Sequence, residues 1–406
     1  GTGREIYQNP TVFFSKTFFT SGLKHIAKQV ICGLNGGEDA ENRVISLQTG
    51  FGGGKTHTLI SLYHIAHLGQ KALESSYTQD LIEYTGSPKF ESANIAVFTN
   101  TTNDPTQGRV TEDNVHLQTL WGELAWQLAK SANNPAIYEI VKANDNSRTT
   151  PKGLFKQVLK MARPTLILID ELADYCVAAS GIAVGSSSLA DQTISFMQEL
   201  SEAIAETDQC VAVITLPASQ SEVGSSEKAV SILYSLQDRI GRVGTDTTPV
   251  ATEEIFEVIR RRLFEDLGDE DVLEQTVQTY ANYYQELWTE LPSHATKTSK
   301  DGKQYVDSLR KSYPFHPELI DVFRKRWASN HHFQRTRGVL RILASIVSDL
   351  WKRQGVLTGT HGLIHTSDIR FENLDALSGL LKRLYGVNYD AVITADVSGS
   401  SSNAFL

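Results

Sequence analysis

Residues 47–64, "LQTGFGGGKTHTLISLYH", set four glycines, a lysine and a threonine between an apolar run and an amphipathic one. Glycine at this density weakens strands and helices alike, so the stretch needs another use. Upstream, Val44-Ile45-Ser46-Leu47 reads as a short buried strand. Downstream, Leu59, Ile60, Leu62, Tyr63, Ile65 and Ala66 recur at helical spacing. Strand, glycine loop and helix start, in that order, let backbone N–H groups surround a polyphosphate, and the helix dipole adds to the cradle. The loop from Thr49 through Gly50, Phe51, Gly52, Gly53 and Gly54 to Lys55, Thr56 and His57 is therefore the expected ATP-binding stretch. Lys55 would reach the β- and γ-phosphates and the Thr56 hydroxyl would ligate Mg²⁺. Gly54-Lys55-Thr56 fits the P-loop pattern, but Thr49 stands where its first glycine belongs, with Gly50 one place later. The competing reading is a flexible surface turn that carries a lysine.

A phosphate loop needs a partner that holds the metal and activates water. "TLILIDELADY", residues 165–175, supplies an uninterrupted apolar strand ending in Asp170-Glu171. Acids at the C-terminal end of a buried parallel strand face the same sheet edge as the loop. Asp170 would bind Mg²⁺ directly or through water, and Glu171 would orient and deprotonate the attacking water. The alternative is a strand followed by an acidic helix start, which the dipole favours in any case. The two motifs in this order reinforce each other. A further strand at 210–216 ends near Thr215, whose hydroxyl would either bond the attacking water or γ-phosphate or merely cap the strand end.

Composition excludes several classes. With 406 residues, 40% hydrophobic and 21% charged, the chain is a soluble globular protein with room for two or three domains. A net charge of −9 argues against a wholly basic nucleic-acid binder, while leaving room for a local basic patch. Cys32, Cys176 and Cys210, odd in number and scattered, point to reduced thiols and a cytoplasmic location. No apolar run approaches the roughly 18 residues that span a bilayer, so no membrane partner is expected. The opening Gly1 and the closing "VSGSSSNAFL" read as a piece of a longer protein cut at a Ser-rich linker.

Strands and helices alternate through the first part of the chain. After the loop come a strand at 95–99, an amphipathic helix at 114–130 and the acidic strand. A helix near 189–206, the strand at 210–217, a helix near 226–240 and a short edge strand around Pro249 and Val250 follow. Such alternation implies right-handed βαβ units and a parallel sheet, an α/β core flanked by helices. The expected organisation is an N-terminal segment 1–43, in which an aromatic of the set Tyr7, Phe13, Phe14, Phe18 and Phe19 or the Asn9-Pro10 turn would line the adenine pocket. The core follows at 44–251, a helical lid at 252–355, and a small C-terminal helical or winged-helix-like piece at 356–406. Stretches 178–188 and 294–304 read as loops, and "GLIHT" (362–366) as strand-like.

At this point the sequence resembles a known family. The loop stretch, "YQNPTVFFSKTFFTSGL", "LILIDELADY", "YPFHPELI" and "FQRTRGVLRILA" together are similar to the PglY-like large AAA+ P-loop ATPases. These carry a domain of unknown function and are encoded beside DNA methyltransferases in bacterial phage-defence islands of the BREX or DISARM kind. The resemblance runs from about Tyr7 to about Trp351. It implies a P-loop NTPase core of the AAA+ type with a lid, homo-oligomerisation, and a role in defence against foreign DNA alongside a methyltransferase or other defence proteins.

AAA+ sites are completed by arginines. Arg239 and Arg242 end the helix before the last core strand, where this class places a finger that acts on a neighbour's γ-phosphate. Two exposed arginines at a helix C-terminus are the plainer reading. In the lid, Arg335, Arg337 and Arg341 cluster at a helix start, and Arg337 is the expected sensor of the γ-phosphate. Arg260, Arg261 and Arg262 read as a solvated helix face, with one of them reaching the nucleotide or the subunit interface. Residues 321–353 hold eight Lys/Arg against two Asp/Glu, an excess that a DNA contact or the sensing arginines would each explain. Two functions follow: an ATP-hydrolysing motor or switch in a DNA-modification or phage-defence assembly, or a nucleotide-gated scaffold or DNA-binding regulator, similar to origin-recognition or signal-transduction ATPases, with little turnover.

Overall fold

The apolar run 165–169 can be accommodated only in a sheet covered on both faces. In the computed structural model, which describes residues 5–36, 43–49, 54–86, 89–218, 226–241, 245–247, 249, 254–290, 302–322, 335–353, 362–368 and 395, Thr165–Asp170 is a strand buried at every position. Five parallel strands form its sheet: β1 (Val44–Thr49), β2 (Asn94–Thr99), β3 (Thr165–Asp170), β4 (Cys210–Pro217) and β5 (Thr245–Thr247), in spatial order β2-β3-β4-β1-β5. The fold class is α/β. Two compact units, Gly1–Thr252 and Glu253–Leu406, make up the chain.

Side-chain alternation along the strands divides the first unit's core into two layers. Leu166 and Leu168 face one way with Ile45, Leu47, Val211 and Val213, packing on Ile26, Val30, Leu62 and Ile65. Those four residues belong to helices that follow α1 (Glu5–Gln8) and α2 (Pro10–Ser15): α3 (Ser21–Asn35) and α4 (Lys55–Leu68). Ile167 and Ile169 face the other way with Ala212 and Ile214, against Trp121, Leu124, Phe155, Phe196 and Leu236. That layer is built from α5 (Leu120–Ser131), α6 (Phe155–Ala162), α7 (Leu172–Ala179), α8 (Leu189–Ala205) and α9 (Glu227–Gly241). Truncating one of these buried aliphatics to alanine costs about 2–5 kcal/mol in a core of this kind. At the outer strand β2 the Gln127 amide accepts from the Val97 N–H and donates to the Val97 carbonyl, both at 2.7 Å. The side chain thus occupies one position of the sheet edge.

Several sequence expectations are corrected. The helix expected at 114–130 begins only at Leu120, because Arg109–Val110 and His116–Leu117 pair as a hairpin before it. Thr119 caps that helix through the Gly122 N–H at 3.0 Å, and its hydroxyl donates to the fully buried Asp145 at 2.6 Å. Gly122 is required there, since a Cβ would stand 2.2 Å from Asp145 Cγ. The edge strand lies at 245–247 and not around Pro249, whose carbonyl instead accepts from Thr20 Oγ1 at 2.5 Å. Within the stretch 178–188, residues 183–184 and 187–188 form a short hairpin. Among the described residues no helix is long and apolar enough to cross a membrane.

The second unit is helical: α10 (Ile255–Leu263), α11 (Glu270–Glu290), α12 (Gly302–Ser312), α13 (Pro317–Val322) and α14 (Arg335–Arg353). Gly302 already belongs to α12, so the loop expected at 294–304 ends earlier; residues 291–301 lie outside the described ones. Arg260 is not part of a solvated face: it is 15% exposed, paired with Glu257 and donating to the Arg310 carbonyl at 3.4 Å. Ile364 bridges Phe315 in parallel, and of the piece expected at 356–406 only 362–368 and 395 are described. That bridge brings His316 and His365 together, rings stacked with centroids 4.6 Å apart. His316 is 3% exposed. Its Nδ1 accepts from the Glu318 N–H at 3.3 Å, and its Nε2 lies 3.2 Å from the Tyr284 hydroxyl and 3.3 Å from that of Tyr305.

Burial, with the neighbouring His365, pushes the His316 pKa down from 6.5 to about 4. Between those values the unfolded chain takes up a proton that the folded unit refuses, so stability present above pH 6.5 is lost as pH falls toward 4. Thermal unfolding of the full chain across that window should show the loss, and His316→Gln should flatten it. An unchanged slope in the variant would place the titration elsewhere.

Candidate functional site

Strands β1, β3 and β4 run parallel, so their C-terminal ends gather at one sheet edge, with Thr49 paired to Pro217. Helix α4 starts at this edge after Gly54, whose φ of 85° lies in the left-handed region that glycine adopts without strain. Gly54 at the N-cap has no side chain to cap α4, so nothing from the capping residue occupies its first N–H groups. Gly50, Phe51, Gly52 and Gly53 lie outside the described residues, as does the Thr49 side chain.

A chain of hydrogen bonds crosses the edge. Thr56 Oγ1 donates to Asp170 Oδ2 at 2.8 Å, and Thr215 Oγ1 donates to Asp170 Oδ1 at 2.6 Å. The Glu171 N–H in turn donates to Thr215 Oγ1 at 3.1 Å. Asp170 and Thr215 are 7% and 2% exposed, so these bonds are shielded from water and strong for their type. Asp170 accepts from a hydroxyl on each oxygen, which leaves further lone pairs for a cation or its waters. Because Thr215 gives its only hydroxyl proton to Asp170, it acts on the edge by orienting the acid.

Glu171 follows with φ 57° and ψ 35°, a left-handed conformation that a non-glycine residue holds at about 1–2 kcal/mol. This turn ends β3, starts α7 and leaves the Glu171 side chain exposed beside the buried Asp170. Lys55 is half-buried, its Nζ donating weakly to the Leu216 carbonyl at 3.4 Å. Partial burial holds the Asp174 carboxyl above its usual range, and the Lys55 charge draws it back. Asp174 was not singled out from sequence, although its spacing four residues after Asp170 on a helix start was the available signal.

The remaining candidates are less gathered. Arg239 is half-buried and donates to Gln198 on α8, and Arg242 lies outside the described residues. Arg337 is in the first turn of α14 in the second unit, its side chain outside the described residues together with that of Arg335. His57, half-buried, turns toward the N-terminal segment, where Thr17 Oγ1 is 3.2 Å from its Nε2. Of the N-terminal aromatics, Phe13, Phe14 and Phe19 are core, Phe18 is half-buried, and Tyr7 is 41% exposed. Asn9 caps α2, its side chain accepting from Thr11 and Val12 N–H. Among the described residues no group of three or more His, Cys, Asp or Glu could hold a metal by itself.

Comparison with known families gives two matches. The DUF499 N-terminal domain matches residues 1–248, and the DUF499 second domain matches residues 251–404. No curated protein matches the chain.

Left-handed strain at Glu171 has a thermodynamic signature. Glu171→Gly removes the Cβ that makes this conformation unfavourable, so the variant should be as stable as the wild type or up to about 1 kcal/mol more stable. Denaturant unfolding checks this; a clear loss of stability would show that the Glu171 side chain itself supports the fold.

Proposed function

The chain belongs to the DUF499 family, and from that premise we propose that its first unit is a P-loop NTPase core that binds and hydrolyses ATP with Mg²⁺. The observation that carries this reading is the bonded series Thr56–Asp170–Thr215–Glu171, in which three separate segments bring hydroxyl, carboxylate and strained glutamate to one edge. The strand order supports it as well. β4 lies between β1 and β3, so the acidic pair stands two strand spacings from the loop strand, about 10 Å, a separation that Thr56 at the start of α4 spans with its bond to Asp170.

In this mechanism the backbone N–H groups of residues 50–54 and the Lys55 ammonium hold the β- and γ-phosphates. The donor set at the edge, one hydroxyl and one carboxylate, fits Mg²⁺, a hard cation that keeps waters and phosphate oxygens for the rest of its shell. Thr56 and Asp170 would hold that cation, which when bound would neutralise charge on the phosphate oxygens. Glu171 orients the attacking water and accepts its proton, while Thr215 fixes Asp170 and the Glu171 backbone. A scaffold that only bound nucleotide would gain nothing from holding Glu171 in a strained turn, which favours turnover over that alternative. The assembly we propose is a homo-oligomer with an arginine finger. Arg239 is already bonded to Gln198, which favours Arg242 for that role, while the sensor role of Arg337 rests on the sequence alone. A PglY-like role in phage defence beside a DNA methyltransferase rests on the sequence resemblance, a cytoplasmic location on the three scattered cysteines, and DNA contact through 321–353 on the local excess of Lys and Arg.

Phosphate release tests the reading. Wild type should hydrolyse ATP in the presence of Mg²⁺, and Glu171→Gln should lower turnover by roughly 10²-fold or more, the loss expected for a general base. Turnover at the wild-type rate in the variant would remove Glu171 from the chemistry.

A further inference from the structure

Three consecutive side chains at the start of α4 reach three places. Lys55 meets the Leu216 carbonyl, Thr56 meets Asp170, and His57 turns back to the N-terminal helices. The His57 ring lies against Phe13, centroids 4.6 Å apart and planes 33° from parallel. Its Nε2 is 3.2 Å from Thr17 Oγ1, and that hydroxyl donates its one proton to the Phe13 carbonyl at 2.8 Å. The His57 contact therefore has Nε2–H as donor and the Thr17 oxygen as acceptor. Two turns further along α4, His64 Nε2 donates to the Tyr7 carbonyl at 3.0 Å, and its ring also meets Phe13, at 5.2 Å. Phe13 and Thr17 are 1% and 3% exposed, so water cannot replace Thr17 as the acceptor without opening this packing.

The first turn of a helix is the part least held by its own hydrogen bonds, and the glycine at the N-cap of α4 has no side chain to hold it. A cap would compete for the N–H groups that a phosphate needs. Anchoring from the flank avoids that competition, and His57 is placed to provide it. We infer that Thr17 and Phe13 are positioning residues of the nucleotide site, acting through His57 to fix the turn of α4 that carries Lys55 and Thr56. This inference rests on the reading of that turn as an ATP site, and extends the site to a segment some 40 residues upstream of the loop.

ATP-dependent phosphate release and melting temperature, measured on the full chain for wild type, Thr17→Val, His57→Ala, His57→Gln and the Thr17→Val/His57→Ala double variant, test it. Thr17→Val keeps the side-chain shape but removes both the acceptor for His57 and the proton given to the Phe13 carbonyl, so the ATP concentration for half-maximal turnover should rise about 10-fold alongside a modest fall in melting temperature. In half-saturation the double variant should be no worse than the worse single one, because both remove the same His57–Thr17 bond, whatever each costs in stability through its own contact with Phe13. His57→Gln, which still offers an N–H, should stay closer to wild type than His57→Ala. A fall in melting temperature with half-saturation unchanged, or effects that simply add, would overturn the inference and leave a structural contact. If wild type turns over ATP and Thr17→Val matches it, this inference alone falls. If wild type neither binds nor hydrolyses ATP, it falls together with the reading beneath it.

Discussion

Asp170 is a nearly buried carboxylate that receives a hydroxyl proton on each oxygen, from Thr56 on α4 and from Thr215 on β4. Burying such a group is unfavourable unless it is bonded, and here the bonds come from two segments far apart in sequence. The same pair of bonds sets the register between the helix start and two strand ends. Remove either hydroxyl and Asp170 loses a partner in a place water reaches poorly. Remove Asp170 and the two hydroxyls, as well as the Glu171 backbone that leans on Thr215, lose their common reference.

That arrangement depends on the sheet around it. Parallel strands point their C-terminal ends to one edge, and burial of β3 on both faces keeps that edge from shifting. At the outer strand, the Gln127 amide closes the backbone of Val97, which keeps β2 in place beside β3. Strain then appears where the strand hands over to α7: Glu171 holds a left-handed turn, and the surrounding bonds keep it there.

Strands β1 to β4 were legible because each is a short apolar run bounded by loop residues, and the acidic end of β3 was legible from Asp170-Glu171. β5 was misplaced because Thr245–Thr247 is polar and carries no periodic signal. The helix at 114–130 was overextended because Val115 and Leu117 continue its apolar spacing, while the hairpin that claims them depends on pairing with 109–110. Thr215 was seen as a strand-end hydroxyl, but its bond to Asp170 exists only once β4 lies beside β3. The grip of Thr17 on His57 joins residues 40 apart through an aromatic layer, and no local pattern encodes it. Arg260 likewise looks solvated in a run of three arginines, yet tertiary packing turns it inward.

The central claim is that the edge built on Asp170 takes a magnesium-bound nucleoside triphosphate through the turn at Lys55. Calorimetric titration of Mg²⁺-ATP into the full chain and into Lys55→Ala tests it most directly. Saturable binding to the wild type is expected, with its loss in a Lys55→Ala variant that remains folded. Absence of binding to the wild type, or equal affinity in the two proteins, would contradict it.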